Sequence, residues 1–287
     1  MITKSTNVKD GFFSVLISVY HREVPSYLEQ ALSSIEDQTL KANEIVLVKD
    51  GPLTRELDDL IDRHCRTNKV PYKIVALEKN VGLGEALNRG LKECSSEWVA
   101  RMDGDDISLP NRFQKQFDFL KENPEVGLLG CWIDEFEGKE NNIISSRKPP
   151  HTHEKMIAFS KMANPFNHMT VVFKKEYIER VGSYKPMESL EDYYLWTRVM
   201  HSGVKCANVP EVLLLARTGH DMIIRRHGFG YMKNEISFSL AVFKIGYFGY
   251  WDVFRNFFYR ALPRVLPKSF LKKLYFIARN FTEKKGV

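Results

Sequence analysis

The sequence predicts an α/β fold, a mostly parallel sheet with helices on both faces, followed by C-terminal amphipathic helices. Three observations carry this prediction. Short apolar, β-branched runs alternate four times with helix-length amphipathic segments over residues 13–120. Helix-start residues stand where the alternation needs them: Pro25, Thr54 and Pro110. The four apolar runs end at Tyr20, Asp50, Glu78 and Asp103, most of which are polar.

The elements follow in order. FSVLISV (13–19) is the first expected strand, and Pro25 opens a helix with Tyr27, Leu28, Ala31, Leu32 and Ile35 on one face. EIVLVKD (44–50) is the second strand, and Thr54 caps the next helix. YKIVAL (72–77) is the third, followed by a helical face of Leu83, Ala86, Leu87 and Leu91. WVARMD (98–103) is the fourth, and Pro110 begins the helix carrying Phe113, Phe117 and Leu120. Beyond residue 124 the pattern is less regular. VGLLGCWIDEF (126–136) and HMTVVFKK (168–175) read as strands. ESLEDYYLWTRVMHSG (188–203) reads as a helix with Leu190, Tyr194 or Leu195, and Val199 inward. In an open sheet of this kind ligands bind beyond the carboxyl ends of the strands. That places Tyr20, Asp50 and Asp103 on one edge.

Composition narrows the function classes. The four scattered cysteines contain no C-x-x-C pair, which argues against a zinc site and for reduced thiols in a cytoplasm. The N-terminus lacks an apolar signal region, and no apolar stretch is long enough to span a bilayer. The net charge of +6 is unevenly placed: from Trp251 onward nine basic residues face two acids, so the preceding body is close to neutral. A neutral body argues against nucleic acid as partner.

The chemistry concentrates in WVARMDGDDISLP (98–110), where Asp103, Asp105 and Asp106 lie within four residues. Carboxylates this close raise one another's pKa unless a positive partner neutralises them. An EF-hand is excluded, because the sixth position from Asp103 is Ser108 and the twelfth is Gln114. An aspartyl-phosphate enzyme with Asp103 as nucleophile fits the spacing. A helix-capping acidic loop suits one aspartate better than three. The preferred reading is a hard-oxygen site for Mg²⁺ or Mn²⁺, which such sites complete with water and phosphate.

With these residues in view, the sequence resembles the family 2 glycosyltransferases of the GT-A fold, whose sheet is Rossmann-like. The resemblance rests on FSVLISVY, VKDG, NVGLGEALNRGL (80–91), RMDGDD with Pro110 and Arg112, the N-P-x-x-H of Asn164 to His168, and EDYYLW (191–196). Six motifs in order across residues 13–226 are more specific than one D-x-D. Within the family the chain looks most like bacterial enzymes building capsule, exopolysaccharide or O-antigen. The resemblance implies a catalytic domain over 1–226, with a nucleotide-sugar half (1–123) and an acceptor half (124–226). It assigns Tyr20 and Asp50 to the nucleobase and ribose, Asp103 and Asp105 with Asp106 to ribose and metal, and Arg101 and Arg112 to the donor's surroundings. It assigns Asp192, beside Glu191, to the catalytic base and His168 to the acceptor side. It further implies inversion at the anomeric centre. Taken alone, Glu191–Asp192 also fits a helix-start pair, and His168 a packed core residue.

One stretch departs from the family pattern, and one rival motif fails. RTGHDMIIRRHG (217–228) departs from its usual R-x-H-x-x-S-x-S ending; Arg217, Arg225 and Arg226 suit either a diphosphate grip or a solvated basic loop. Gly82 and Gly84 lack the third glycine of a dinucleotide fingerprint, since that position is Leu87. The basic, aromatic region 227–287 reads as amphipathic helices that either lie in a membrane surface or pack on the body. The expected protein is thus peripheral to the inner leaflet, with a nucleotide-sugar donor and a polyprenyl-diphosphate-linked acceptor. The competing readings are the phosphotransferase and a non-catalytic membrane-bound scaffold.

Overall fold

The computed structural model describes residues 13–218 and 227–265. Arg225, Arg226 and the expected second tail helix therefore lie outside the described residues. One nine-stranded sheet organises the chain. Its first half is β1 (Phe13–Val19), β2 (Glu44–Lys49), β3 (Tyr72–Ala76) and β4 (Trp98–Met102), paired in parallel in the order β3-β2-β1-β4. The connecting helices are α1 (Pro25–Glu36), α2 (Arg55–Thr67) and α3 (Leu83–Glu93). After β4 come the two-residue β5 (Ile107–Ser108), α4 (Arg112–Glu122), β6 (Val126–Phe136) and β7 (Ile143–Arg147). Helix α5 (His153–Phe159), β8 (Val172–Lys174), α6 (Lys175–Arg180), α7 (Glu191–His201) and β9 (Lys205–Arg217) complete the body around the sheet. Strand β8 joins the sheet antiparallel to both β4 and β6, and β9 runs parallel to β6.

The period of two in the strands explains the two-sided burial. Val15, Ile17, Ile45 and Leu47 pack with Leu28, Leu32, Leu57, Phe113 and Phe117 of α1, α2 and α4. Leu16, Val46 and Val48 point the other way, onto Ala86, Leu87, Leu195 and Trp196 of α3 and α7. Register aligns the strand ends, with Val19 opposite Lys49 and Ile17 opposite Met102. Tyr20, Asp50 and Asp103 consequently emerge along one edge.

Several local expectations hold. The Thr54 hydroxyl accepts the Leu57 N–H at 3.3 Å, and β6 spans Val126–Phe136 as expected. Others change. Leu83 is exposed, because the face of α3 that meets the sheet is made by Ala86, Leu87 and Leu91. The HMTVVFKK run is a strand only over Val172–Lys174; its first residues form a 3-10 turn, His168–Thr170. Helix α7 is buried on most of its circumference, including Tyr193, Trp196 and Met200 as well as Leu195 and Val199.

The C-terminal region consists of α8 (Phe229–Lys244), α9 (Tyr250–Asn256) and a tight helical continuation through Val265. Tyr193 of α7 stacks on Phe238 of α8 with ring centroids 4.3 Å apart. Glu235, only 1% exposed, accepts from Arg260 Nε at 2.9 Å and from Arg264 Nη2 at 2.9 Å. Arg255 donates to Asp252 and to the Lys161 carbonyl. Over residues 251–265 the three arginines, Arg255, Arg260 and Arg264, are turned onto the protein. The cause is a buried carboxylate, Glu235, whose desolvation needs paired cations.

Candidate functional site: an acidic edge facing the start of α7

Asp50 ends β2 and is buried. Its Oδ1 accepts the Val81 N–H at 2.7 Å and its Oδ2 the Gly82 N–H at 3.2 Å, so it pins the loop that starts α3. Gly51 makes this approach feasible. Its φ is +86°, and a Cβ there would meet Asn80 N at 2.6 Å. Tyr20, at the end of β1, keeps 39% of its surface exposed on the same edge.

The loop after β4 carries the acids. One oxygen each of Asp103, Asp105 and Asp106 lies within 4.8 Å of the others. Asp103 is ion-paired with the buried Arg101. Burial, then Asp103, pushes the Asp105 carboxyl up to about 6. Burial, then Asp103 and Asp105, also raises Asp106. Asp106 Oδ2 is buried without a hydrogen-bond partner among the described residues, and so are Nε and Nη1 of Arg101. Hard oxygen donors at this separation, one of them with an unused buried lone pair, fit a divalent cation.

A fourth carboxylate joins them. The turn closed by Glu23 N–H to the Tyr20 carbonyl, 3.0 Å, brings Glu23 against the cluster. A Cβ on Gly104 would lie 3.2 Å from Glu23 Oε2. Burial, then Asp105 and Asp103, pushes Glu23 up to about 7. The sequence places Glu23 three residues past Tyr20 but carries no signal of its approach to the aspartates.

The expected arginines divide in function. Arg101 faces the acids. Arg112 is wholly buried, donates to the Arg101 carbonyl at 2.8 Å and to Gln116 at 3.1 Å, and is pushed by burial down to about 10. Its place is behind Arg101, holding that strand end. Arg217 arrives because β5 pairs antiparallel with β9, Ile107 opposite Leu215. Its N–H donates to Asp106 Oδ1 at 2.8 Å, and its guanidinium donates to the Asp105 carbonyl at 3.0 Å and to Gln30 at 2.5 Å. The guanidinium carbon sits 3.9 Å from the Tyr27 ring centroid. The Arg217 side chain thus braces the aspartate loop. Gln38, unremarked in the sequence, braces it from below through the Leu109 carbonyl at 2.7 Å and the Phe113 N–H at 3.1 Å.

Across the edge stands the first turn of α7. Asp192 Oδ2 accepts Asn164 Nδ2 at 2.7 Å, and the carboxyl is raised by burial. Its electrostatic surroundings include Arg101, which also pairs with Asp103. Glu191, raised by burial, lies against Gly84 at the start of α3. His168 Nε2 meets the Tyr184 hydroxyl at 2.8 Å, and burial holds this histidine well below its ordinary pKa, hence neutral. Tyr184 is tied to α3 by reciprocal hydrogen bonds with Asn88, at 2.8 and 2.9 Å. Asn164 and Tyr184 are the positioning residues whose roles only the structure reveals. A cleft of about 450 Å³ opens nearby, lined by Glu188, Ser189, Tyr231, Lys233 and Asn234.

A strand-end D-x-D facing a second carboxylate at a helix start can be compared with known proteins. The family model described as Glycosyl transferase family 2 matches residues 14–181. The chain belongs to this family. Among family 2 relatives, the amylovoran biosynthesis glycosyltransferase AmsE of Erwinia amylovora is 43% identical over 265 residues, covering 92% of this chain and 97% of its own. The UDP-Gal:alpha-D-GlcNAc-diphosphoundecaprenol beta-1,3-galactosyltransferase of Escherichia coli is 37% identical over 263 residues, covering 92% and 94%. Among solved structures, the mannosyltransferase PcManGT from Pyrobaculum calidifontis, in complex with GDP-Man and Mn²⁺, superposes with a TM-score of 0.66 at 18% identity, covering 96% of this chain and 76% of that one. S. aureus TarS 1-349 in complex with UDP-GlcNAc gives 0.66 at 16% identity, covering 88% and 72%. The fold of this family 2 glycosyltransferase is GT-A.

Proposed function

We propose that the protein is an inverting, metal-dependent hexosyltransferase of bacterial surface polysaccharide synthesis (O-antigen, capsule or exopolysaccharide). It would move a hexose from a nucleotide-sugar, a UDP-sugar by the naming of the Escherichia coli relative, to a polyprenyl-diphosphate-linked sugar. The observation that carries the reading is the opposition of two acidic groups across one sheet edge: Asp103, Asp105 and Asp106 on one side, and Asp192, held by Asn164, on the other.

The residues divide the work. Tyr20 and Asp50 would flank the nucleoside. Asp103, Asp105 and Asp106 would hold Mn²⁺ or Mg²⁺. When bound, such a cation supplies Lewis-acid stabilisation of charge on the leaving diphosphate. Arg101, buried and fixed by Arg112, adds a permanent positive charge beside the same position. Asp192 would take the proton of the acceptor hydroxyl; burial raises its basicity, and Asn164 fixes one of its oxygens. Neutral His168 and Glu191 would line the acceptor side. The enzyme would work at the cytoplasmic face of the membrane, where a lipid-linked acceptor is presented.

A thermal-shift screen of nucleotide-sugars with and without Mn²⁺ tests the reading, since a ligand stabilises the fold in proportion to its binding. Asp105→Ala should abolish the metal-dependent shift and turnover together. Asp192→Ala should abolish turnover and keep the shift. Loss of both in Asp192→Ala would remove the base assignment.

A further inference from the structure

We propose that the aromatic face of residues 250–262 is the surface by which this enzyme docks on an anionic lipid bilayer. The proposal names the partner surface of the lipid-linked-acceptor reading, but its observation is separate from the sugar site. Between residues 250 and 265 every exposed side chain is aromatic or leucine: Tyr250, Trp251, Phe254, Phe257, Phe258, Tyr259 and Leu262. Tyr250 is 85% exposed, Tyr259 75% and Trp251 69%. The charged residues of the same segment point the other way. Arg260 and Arg264 close on the buried Glu235, and Arg255 on Asp252.

This is an amphipathic element worn inside out. Scattered exposed apolar residues are ordinary on a soluble surface, but a segment whose exposed side chains are all aromatic or leucine, four of them in ring contact, is not. Four of the rings form one patch. Trp251 stacks on Phe254 at 5.4 Å, Phe254 meets Phe258 at 4.8 Å, and Phe258 meets Phe257 at 5.2 Å. The arginine pairs hold it rigidly against α8, so presenting the rings requires no folding at the surface.

Composition and charge choose the occupant. Tryptophan and tyrosine favour the headgroup level of a bilayer, where a ring has one apolar and one wet side. The chain continues past Val265 with six basic residues, Lys268, Lys272, Lys273, Arg279, Lys284 and Lys285, against the single acid Glu283. A second copy of the chain would bring two such basic stretches together. An anionic leaflet complements them. Among the described residues no helix is long and apolar enough to cross a membrane, so this contact would lie in the plane.

The test uses the full chain and brominated vesicles of phosphatidylglycerol and phosphatidylethanolamine, with phosphatidylcholine vesicles alongside. Trp98 and Trp196 are buried and Trp132 is half-buried, so Trp251 is the tryptophan placed to be quenched. The expected results are quenching by the anionic vesicles that disappears in Trp251→Phe, and at least a tenfold fall in vesicle partitioning for the Trp251→Ser, Phe254→Ser, Tyr259→Ser triple variant. The triple variant's nucleotide-induced thermal shift should match the parent's, which shows that it folds. Equal partitioning of triple variant and parent, an unquenched parent, or a solution dimer that the triple variant splits would overturn the proposal. A parent that binds vesicles but shows no nucleotide shift would instead sink the donor reading and leave the docking surface standing.

Discussion

Replacing Asp105 by asparagine should make the metal-free protein more stable while destroying its function. The Asp105 carboxyl is pushed from its ordinary 3.8 to about 6, first by burial and then by Asp103. Below pH ~4 the folded and unfolded chains both hold the proton, and the shift has no consequence. As pH rises through about 6 the folded carboxyl ionises at a cost that the unfolded chain does not bear, so stability is lost on that side. About two pKa units correspond to an upper bound of ~3 kcal/mol. For a chain of this size 1 kcal/mol moves the melting temperature by roughly 2 °C. With a chelator present at pH 8, Asp105→Asn should therefore melt ~3–6 °C above the parent, and the gap should close by pH 4. Added Mn²⁺ should raise the parent's melting temperature and leave the variant's where it was. Differential scanning calorimetry at the two pH values decides the matter. A variant that melts at or below the parent at pH 8, or a gap that persists at pH 4, would refute the claim that uncompensated carboxylate charge is held in this loop.

Asn164→Ala frees one oxygen of Asp192 and should lower kcat by ~10- to 100-fold through misplacement, with the nucleotide-induced thermal shift preserved. Gly51→Ala places a Cβ at positive φ against the Asn80 backbone and should cost about 2 kcal/mol or more in urea unfolding. His64 is raised above 6.5, chiefly by its hydrogen bond to Glu36 at 2.9 Å. Its contribution is complete below pH 6.5 and is lost as pH rises through the folded value, so the parent should lose more stability than His64→Gln between pH 6 and 8.5.

What the residues reveal before folding follows the reach of each signal. Strands β1, β2 and β4 were legible because a two-residue period with β-branched side chains has few other solutions. The order of their polar last residues along one edge then follows from parallel pairing. The D-x-D was legible because like charges crowd within four positions. Glu23 was not, because its contact with Gly104 is made by a turn, and no spacing rule relates the two. Arg217 was legible as a cation but not as a brace: its task is set by β5, two residues long, pairing with β9. The orientation of the tail was illegible for a related reason. A helical repeat shows which residues share a face; it does not say which face meets the body. Here Glu235, on another helix, decides that the arginines go in and the aromatic rings stay out.

The same bookkeeping of charge connects the site to its scaffold. Four carboxyls, Glu23, Asp103, Asp105 and Asp106, gather at one loop; the buried guanidinium of Arg101 pairs with Asp103, and its Nε and Nη1 have no hydrogen-bond partner among the described residues. Left alone, such a cluster would push its loop apart. The loop stays because it is fastened by Gln38 from below, by the Arg217 backbone N–H and guanidinium from β9, and by Arg112 from α4. Each of these bonds to a backbone atom or to one oxygen of Asp106, and although Arg101 and Arg217 offset part of the charge on Asp105, burial and Asp103 still hold its carboxyl up at about 6. The scaffold therefore holds the negative charge in place and cancels only part of it. Cancelling it within the protein would lower the affinity for a divalent cation and a diphosphate. Repulsion held in a fixed geometry is a preorganised site, and the strength with which a cation and its nucleotide bind should reflect how much of it they relieve.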